Sequence, residues 1–224
     1  MSKYEGLVFE GFSPRTPLGA AAPAASLPDM SRWGNDGTMT DVTWVQLPSG
    51  LWVMSFNRIS SFVDLGTDDS LIIIGPTTLE SWINPMVLDV TSQRWMSRDG
   101  ATEGCHRLRM RDNDGHIAWW RWTGVGNNYR KWETSTLALQ EDIWAHVVVS
   151  FDGTDAIIYL NGVVEAPAGV NAAFANAPAH NTFIGRAQAN YFGGYIVMPR
   201  IYNYALTPDQ INSHFAAERT LFGV

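Results

Sequence analysis

A stretch in the middle of the sequence alternates basic and aromatic residues with apolar ones on both sides of a turn signal. The turn signal, Asp-Asn-Asp-Gly at 112–115, places Arg107 opposite Trp120 when the chain folds back as an antiparallel hairpin. Because paired residues share a face, six side chains then project from one side: Arg107, Arg109, Arg111, His116, Trp120 and Trp122. Tryptophan and arginine are enriched at binding hot spots, and arginine grips carboxylates and sulfates. We expect this face to be exposed and to contact an anionic glycan or a protein partner.

A second interpretation of the same face needs no ligand. The arginines can stack on the tryptophan rings and simply cover the surface of the sheet. The pairing itself is also a hypothesis, because a shift of one residue would exchange the two faces. In the register given above, Trp119 points into the core and Trp120 points away from it.

Residues for hydrolytic chemistry are scarce. Cleavage of a glycosidic bond usually needs two carboxylates across the bond, and acids two positions apart share a face of a strand. Only Asp112 and Asp114 have that spacing, and they belong to the turn signal, where hairpin geometry explains them. The sequence has no G-x-S-x-G or H-E-x-x-H motif, and its five histidines are scattered. It therefore predicts a protein that is not an enzyme.

The amino-acid composition limits the kinds of binding partner that are expected. The 224 residues include 15 basic and 22 acidic ones, a net charge of −7. This negative charge argues against nucleic acid or an anionic membrane as the main partner. Cys105 is the only cysteine, so no intrachain disulfide can form. The first residues lack the pattern of a signal peptide and no aliphatic run is long enough to span a bilayer, which predicts synthesis in the cytoplasm.

The elements that position these residues are predominantly short strands. Alternating or β-branched runs separated by Gly, Asp and Asn favour an all-β sandwich. The strands are expected within seven segments: Gly6–Phe9, Trp52–Phe56, Ser61–Leu65, Ser70–Ile74, Trp82–Ile83, Trp144–Phe151 and Ala156–Leu160. Trp82 and Trp144 are expected to pack between the sheets, whereas Trp33 and Trp132 lie beside turn signals and are expected at the surface.

Three local signals mark the remaining chain. Asn161-Gly162 predicts a tight hairpin turn. Thr207, followed by Pro208 and Gln210, predicts the start of one short helix that seals an edge of the sandwich. Residues 13–28 are rich in proline and alanine and are expected to lack regular secondary structure. We therefore divide the chain into an N-terminal strand and arm, 1–28, and a single domain, 29–224.

The order of these segments resembles the laminin-G-like branch of the concanavalin A-like lectin/glucanase superfamily. The resemblance spans roughly 29–213, and its most specific block runs from Trp144 to Thr154, followed by Tyr159-Leu160-Asn161-Gly162. Weaker blocks begin at Asp29, Leu79, Phe183 and Arg200. The resemblance implies a two-sheet antiparallel jelly roll with one short C-terminal helix.

The resemblance also implies a calcium site, but one of the two matching ligand positions lacks a carboxylate. Domains of this kind often bind calcium, and the matching ligands here would be Asp29 and the residue at position 197. Val197 stands where the family has an aspartate. Calcium takes six to eight oxygens, largely from carboxylates, so losing one weakens the site. We expect no cofactor, with Asp29 as the one candidate calcium ligand and a loop-capping role as its alternative.

Two classes of function follow. The first is a non-enzymatic structural or adhesive module, because single laminin-G-like proteins of this kind resemble virion-associated proteins of bacteriophages that decorate a capsid or form part of a tail. The second is a carbohydrate-binding lectin of cellular origin, with the arginine and tryptophan face as its site. A polysaccharide-degrading enzyme is a third and more distant hypothesis, since it would need acids brought together from different strands.

Overall fold

The computed structural model describes residues 6–11, 25–88, 92–99, 104–111, 114–122, 129–166 and 180–224. Most of these residues lie in strands. The first nine strands are β1 (Leu7–Glu10), β2 (Ser26–Leu27), β3 (Gly37–Thr40), β4 (Thr43–Gln46), β5 (Trp52–Asn57), β6 (Phe62–Asp64), β7 (Thr77–Pro85), β8 (Arg94–Asp99) and β9 (Gly104–Met110). The next nine are β10 (His116–Trp122), β11 (Tyr129–Ala138), β12 (Ala145–Phe151), β13 (Ala156–Leu160), β14 (Val163–Glu165), β15 (Thr182–Ile184), β16 (Arg186–Ala187), β17 (Asn190–Tyr191) and β18 (Gly193–Tyr202).

Sixteen of these strands build two antiparallel sheets. Sheet A has the order β14-β13-β12-β7-β18-β5-β4, and β1 also pairs with β18. Sheet B has the order β11-β10-β9-β8-β15-β6-β3-β2. Neighbours in space are often distant in sequence, as in a jelly roll, and the predicted two-sheet sandwich is confirmed.

The core between the sheets is apolar because successive residues of a strand point to opposite faces. Sheet A contributes residues such as Leu79, Val147 and Val149, and sheet B contributes Leu108 and Trp119, all almost fully buried. The alternate residues of each strand face outward. This alternation determines which side chains are available for a site.

The outer face of sheet A is covered by the C-terminal segment. Helix α1 (Pro208–Glu218) begins with the predicted capping box, in which Thr207 Oγ1 accepts from the Gln210 amide and Gln210 Oε1 accepts from the Thr207 amide. Ile211 packs with Val148 over the sheet. The helix therefore lies across a face of sheet A, and the prediction that it seals an edge is wrong.

The burial of the tryptophans differs in part from the sequence-based prediction. Trp82 is fully buried, but on the outer face of sheet A, where Phe222 stacks on it at 4.2 Å. Trp144 is half-buried beside the same phenylalanine. Trp132 lies in the core at 0% exposure, because it alternates with outward-facing neighbours along β11, whereas Trp33 is exposed as predicted.

Two further local predictions need correction. The segment Ser70–Ile74 is not a strand: Asp69–Leu71 is a 3₁₀ helix, and the Asp68 carboxylate caps it by accepting from the Ser70 amide at 2.9 Å. In the predicted arm, Ser26–Leu27 forms strand β2 against β3. Residues 13–24 of that arm lie outside the described residues.

The hairpin predicted at Asn161-Gly162 is confirmed. Both residues have positive φ angles, 52° and 75°, and they connect β13 to β14. A type I′ turn requires such angles at its two central positions. Among the described residues, no helix is long and apolar enough to cross a membrane.

Candidate functional site

The hairpin of β9 and β10 adopts the register that the sequence predicts. Arg107 lies opposite Trp120, Arg109 opposite Ala118, and Leu108 opposite Trp119. Trp119 is fully buried in the core, as predicted. The other side of the hairpin, with the arginines and Trp120, therefore forms part of the outer face of sheet B.

Arginine side chains and aromatic rings stack on this outer face. The Arg107 guanidinium lies 4.7 Å from the Trp122 ring centroid and 5.5 Å from that of Trp120. The Arg109 guanidinium lies 4.8 Å from the Trp120 ring centroid. Tyr129 of β11 stacks on Trp120 with 4.2 Å between centroids and 5° between planes. We call these five residues the Arg–aromatic face.

The prediction that this face is exposed is wrong for three of its residues. Arg107 is 3% exposed, Arg109 8% and Trp122 3%. A guanidinium is weakly hydrated and can be buried when it stacks on rings, so the stacking interpretation describes these three residues. Trp120 and Tyr129 remain partly accessible.

The exposed edge of this surface continues into the next residues of β11 and into the hairpin turn. Lys131 lies opposite Trp120, and its side chain is 45% exposed. Arg111 is 41% exposed and makes a short ion pair with Asp114. His116 lies near Asp114 and Arg111, with Nε2 3.1 Å from the Ser135 carbonyl oxygen. Of the six predicted site residues, the structure thus brings four into one stack and leaves two at the turn.

Asp114 of this turn stabilises the hairpin by accepting hydrogen bonds from Arg111 and His116. Burial alone would raise the pKa of Asp114, but hydrogen bonds from Arg111 and His116 lower it to about 2. A carboxylate held ionised in this way cannot act as a general acid near neutral pH. Asp112 lies outside the described residues.

Sequence reasoning missed a second arginine stack on the outer face of sheet B. The Arg186 guanidinium lies 4.2 Å from the ring centroids of both Phe62 and Phe183. Phe183 pairs with Ser97, which pairs with Arg107. One row across the sheet therefore connects the two stacks. The alternation of Phe62 with Val63 was visible in the sequence, but its proximity to Arg186 depends on the sheet order.

A basic row also lies on the inner side of sheet B, at one end of the core. Arg98 pairs with His106, and His106 pairs with Arg121. Arg121 donates to Thr77 Oγ1 at 3.0 Å and to the Ile73 carbonyl at 2.9 Å. Burial, reinforced by the positive charges of Arg121 and Arg98, lowers the pKa of His106 to about 3. His106 is therefore neutral, and the positive charge of this part of the sheet resides on arginines.

A different polar site lies on the outer face of sheet A, beneath α1. Glu80, fully buried at the centre of β7, accepts hydrogen bonds from four residues. His146 Nε2 lies 2.9 Å from Glu80 Oε1, and His214 Nδ1 lies 3.0 Å from the same oxygen. Arg200 Nη1 and the Tyr202 hydroxyl each lie 3.3 Å from the carboxylate. Helix α1 is thereby tied to the middle of the sheet.

Arg200 joins three carboxylates in this site. Its Nε donates to Glu10 Oε1 at 3.0 Å, its Nη1 to Glu80 at 3.3 Å, and its Nη2 to Glu218 Oε1 at 2.6 Å. Trp82 Nε1 donates to the other oxygen of Glu218 at 2.7 Å. We call Glu10, Glu80, Arg200, His214 and Glu218 the α1 charge cluster. Sequence reasoning missed it because its members lie far apart in the chain.

The pKa values in this cluster argue against glycoside hydrolysis there. Burial alone would raise the pKa of Glu80, but Arg200, His146 and His214 hold it well below 4.5. A glycosidase needs one carboxyl group whose pKa is raised so that it can give a proton. The ligand atoms of Glu80, His146 and Glu218 lie within 4.8 Å of one another, a spacing that suits a metal ion. Arg200 already supplies the positive charge between these carboxylates.

Asp29 caps a loop with both of its carboxylate oxygens. Oδ1 accepts from the amides of Glu10 at 3.0 Å and Ser31 at 2.8 Å. Oδ2 accepts from the Ser31 hydroxyl at 2.7 Å and the Asn35 amide at 2.8 Å. Val197 is fully buried beside Trp82, in keeping with its apolar side chain. A calcium ion at Asp29 stays a prediction, and it would have to compete with these four donors.

The family model of the concanavalin A-like lectin/glucanases superfamily matches residues 58–212. This is more than two thirds of the 224 residues, and the chain belongs to this superfamily. The laminin-G-like resemblance inferred from the sequence blocks is thus confirmed. A search of curated proteins found no match.

Solved structures share the fold at low sequence identity. The binding domain of Paraclostridial Mosquitocidal Protein 1 is 15% identical with a TM-score of 0.67, over 96% of this chain and 52% of that one. The binding domain of botulinum neurotoxin DC, in complex with rat synaptotagmin II, is 10% identical with a TM-score of 0.68, over 96% and 52%. This chain spans about half the length of these two toxin domains.

A third similar structure is a single domain of a larger enzyme. Domain 4 of AbnA, a GH43 extracellular arabinanase from Geobacillus stearothermophilus, in complex with arabinotriose, is 20% identical with a TM-score of 0.63. The match covers 83% of this chain and 91% of that domain. At these identities, all three structures establish the shared fold.

Proposed function

We propose that this chain is a non-enzymatic binding module that attaches to an anionic partner through the accessible edge of the Arg–aromatic face. The observation that carries the proposal is the parallel stack of Trp120 and Tyr129, flanked by Lys131, whose exposed side chain forms an ion pair with Glu133 at 2.6 Å. Aromatic rings supply rigid apolar contact area, and the basic groups attract carboxylates or sulfates.

The buried side chains of Arg107 and Arg109 help to fix the position of Trp120 at the accessible edge of the Arg–aromatic face. The guanidinium groups of Arg107 and Arg109 lie 5.5 and 4.8 Å from the Trp120 ring centroid, so the ring cannot turn without disturbing two cation–π contacts. A binding surface whose side chains are already fixed loses less conformational entropy when a ligand binds. The arginines thus act by holding Trp120 in place.

For the biological setting, we propose a virion-associated adhesive component, on a capsid surface or a tail. This rests on the resemblance of the sequence blocks to single laminin-G-like virion proteins, and on a single cysteine that can form no intrachain disulfide. A partner of this module is then a protein surface of the particle or an acidic glycan of its target.

A lectin of cellular origin is the second candidate. The observation in its favour is the similar domain of an arabinanase, whose structure contains arabinotriose. Tryptophan and tyrosine faces stack on sugar rings, and the accessible edge offers both. In this case the isolated chain binds sugar without any particle.

Binding of the isolated chain to an array of neutral, carboxylated and sulfated glycans tests the proposal, together with co-sedimentation with purified particles. We expect binding that weakens with salt, because exposed charges are screened. Trp120→Ala should reduce affinity by about 2 kcal/mol or more, roughly 30-fold, as hot-spot truncations do. Trp33→Ala is the matched control, since Trp33 is 43% exposed and also carries a stacked arginine, Arg32.

The outcomes separate the candidates. Tight glycan binding by the monomer supports the lectin, and particle association without glycan binding supports the virion component. Equal losses for Trp120→Ala and Trp33→Ala would contradict the proposed surface. Binding only to neutral sugars would contradict the anionic partner.

A further inference from the structure

The cavity between α1 and sheet A has the chemistry of a binding site, separate from the Arg–aromatic face. Its volume is about 270 Å³, and its floor is formed by Glu10, Arg200 and Glu218 of the α1 charge cluster. Tyr204 and Leu7 contribute apolar surface to its lining. A small concave site with apolar walls and a few converging polar groups is the usual form of a ligand pocket.

The rim of the cavity belongs to one side of α1. Gln210, Ser213 and Ala217 line the opening at positions three and four apart, so their side chains fall on the same helix face. All three are exposed. The entrance can therefore be altered by substitutions that leave the buried contacts of α1 intact.

Charge determines which ligand the cavity suits. Glu10, Glu80 and Glu218 share the positive charge of Arg200 and that of His214, whose pKa is raised by its hydrogen bond to Glu80. Glu80 does not line the cavity and is also faced by His146, so the lining presents two carboxylates, Glu10 and Glu218, to the one permanent positive charge of Arg200. The cavity therefore favours a cation over an anion.

Glu10 has a carboxylate oxygen available for such a ligand. Its Oε1 accepts a hydrogen bond from Arg200 Nε, and among the described residues no hydrogen bond reaches Oε2. The Glu10 side chain is 19% exposed, so Oε2 can meet a group that enters the cavity. Tyr204 adds an aromatic ring to the wall, and a ring attracts a cation at its face.

We propose that this cavity binds one guanidinium group, either of a free small molecule or of an arginine side chain on a partner protein. The planar cation would pair with Glu10 Oε2 and lie against the ring of Tyr204. A guanidinium matches carboxylate geometry with paired donors and stacks on aromatic rings, which a compact ammonium does less well. The site requires no property of the Arg–aromatic face.

Titration calorimetry with three probes tests this inference. The probes are methylguanidinium chloride, a short peptide with one arginine, and the same peptide with citrulline, which has the same shape without the charge. We expect the arginine peptide, methylguanidinium or both to bind, and the citrulline peptide to bind at least about tenfold more weakly. Binding of methylguanidinium alone indicates a free ligand, and tighter binding of the arginine peptide indicates a partner side chain.

Three variants locate the site. Glu10→Gln should weaken binding about tenfold, because it removes the charge that the ligand pairs with. Ala217→Phe should block the opening and abolish binding while the circular dichroism spectrum and melting temperature stay unchanged. Asp155→Asn, an exposed acid in the turn between β12 and β13, is the matched control and should bind as the wild type does.

Three results would overturn the inference. The first is equal affinity for the arginine and citrulline peptides, because charge would then play no part. The second is unchanged binding in a folded Ala217→Phe variant, because the ligand would then bind elsewhere. The third is that neither methylguanidinium nor the arginine peptide binds the wild-type chain.

Discussion

Trp119 and Trp120 are adjacent in the chain and lie in opposite environments. Trp119 is fully buried and packs on Trp132 and Phe151 at centroid distances of 5.1 and 5.2 Å. Trp120 lies on the outer face, with the guanidinium groups of Arg107 and Arg109 5.5 and 4.8 Å from its ring centroid. The difference follows from strand alternation, and it makes the two residues a matched pair for mutagenesis.

Trp119→Ala should lower the free energy of unfolding by about 3–5 kcal/mol, because it leaves a large cavity between the sheets. Trp120→Ala should leave a folded protein, with a smaller loss of stability and a loss of binding. Urea denaturation followed by fluorescence measures both. If Trp120→Ala unfolds the domain while Trp119→Ala is tolerated, the assignment of the two faces is wrong.

Glu80 makes the stability of the protein depend on pH in the acidic range. Its pKa in the folded protein is held well below 4.5, against the effect of burial, by Arg200, His146 and His214. Below pH 4.5 the unfolded chain takes up a proton more readily than the folded one. The stabilisation from Glu80 is therefore present above that pH and is lost as the pH falls through the folded value.

Glu80→Gln should cost about 3–5 kcal/mol at neutral pH, because it removes the buried negative charge with which Arg200, His146 and His214 pair. It should also flatten the dependence of unfolding free energy on pH below the usual pKa of a glutamate, because that dependence comes from the lowered pKa of Glu80. Urea denaturation at a series of pH values measures this. Asp155→Asn, which removes an exposed charge, should keep the wild-type slope; the same slope in Glu80→Gln would contradict the role of Glu80.

At the scale of elements, Glu165 joins the edges of the two sheets. It ends β14 of sheet A, and its carboxylate accepts from the amides of Ser135, Thr136 and Leu137 in β11 of sheet B. The hydroxyl groups of Ser135 and Thr136 donate to the same carboxylate. Burial alone would raise the pKa of Glu165, but these hydrogen bonds lower it to about 2.

Glu165→Ala should release the edge of β11 from β14. The amides of residues 135–137 should exchange with deuterium faster, and stability should fall by about 1 kcal/mol, because most of these donors are exposed and water can replace the lost acceptor. Hydrogen exchange measured by mass spectrometry resolves this segment. Val163→Ala, at an exposed position of the same strand, should leave the exchange unchanged.

Helix α1 shows why the ends of an element are easier to predict from sequence than the place where the element packs. Thr207 and Gln210 specify the start of α1 through local hydrogen bonds. Where the helix lies depends on the Trp82 surface, which is formed by distant strands. Stacking of Phe215 and Phe222 on Trp82 places the helix over the face of sheet A.

At the scale of the whole molecule, charge is distributed unevenly. The chain carries a net charge of −7, yet β8 to β11 gather arginines on both faces of sheet B. Three acids, Glu10, Glu80 and Glu218, lie under α1 on the opposite sheet, around Arg200. The two proposals use this separation, with an anionic partner at sheet B and a cationic group at the cavity on sheet A.

The molecule should bind without turning over common polysaccharides. Among the described residues, the carboxylates with clearly shifted pKa values, Asp68, Glu80, Asp114 and Glu165, are all shifted downward, so none is prepared to donate a proton. A reducing-sugar assay on arabinan, starch and sulfated polysaccharides should show no product. Product formation that is lost in Glu80→Gln or Glu218→Gln, with the fold intact, would contradict the non-enzymatic proposal.

The sequence by itself determined what depends on neighbours along the chain. It predicts the β9–β10 register from a turn signal and alternation, the Asn161-Gly162 hairpin from the φ angles it needs, and the capping box at Thr207. Only the tertiary structure decided how deeply Arg107 and Arg109 are buried, because burial depends on the stack they form with aromatic rings of two other strands. The α1 charge cluster also needed the fold: a bulge in β18, with Met198 at a positive φ of 50°, turns Arg200 outward to meet Glu80 and Glu218. No spacing in the sequence predicts such a site, because its carboxylates come from the first strand, a central strand and helix α1.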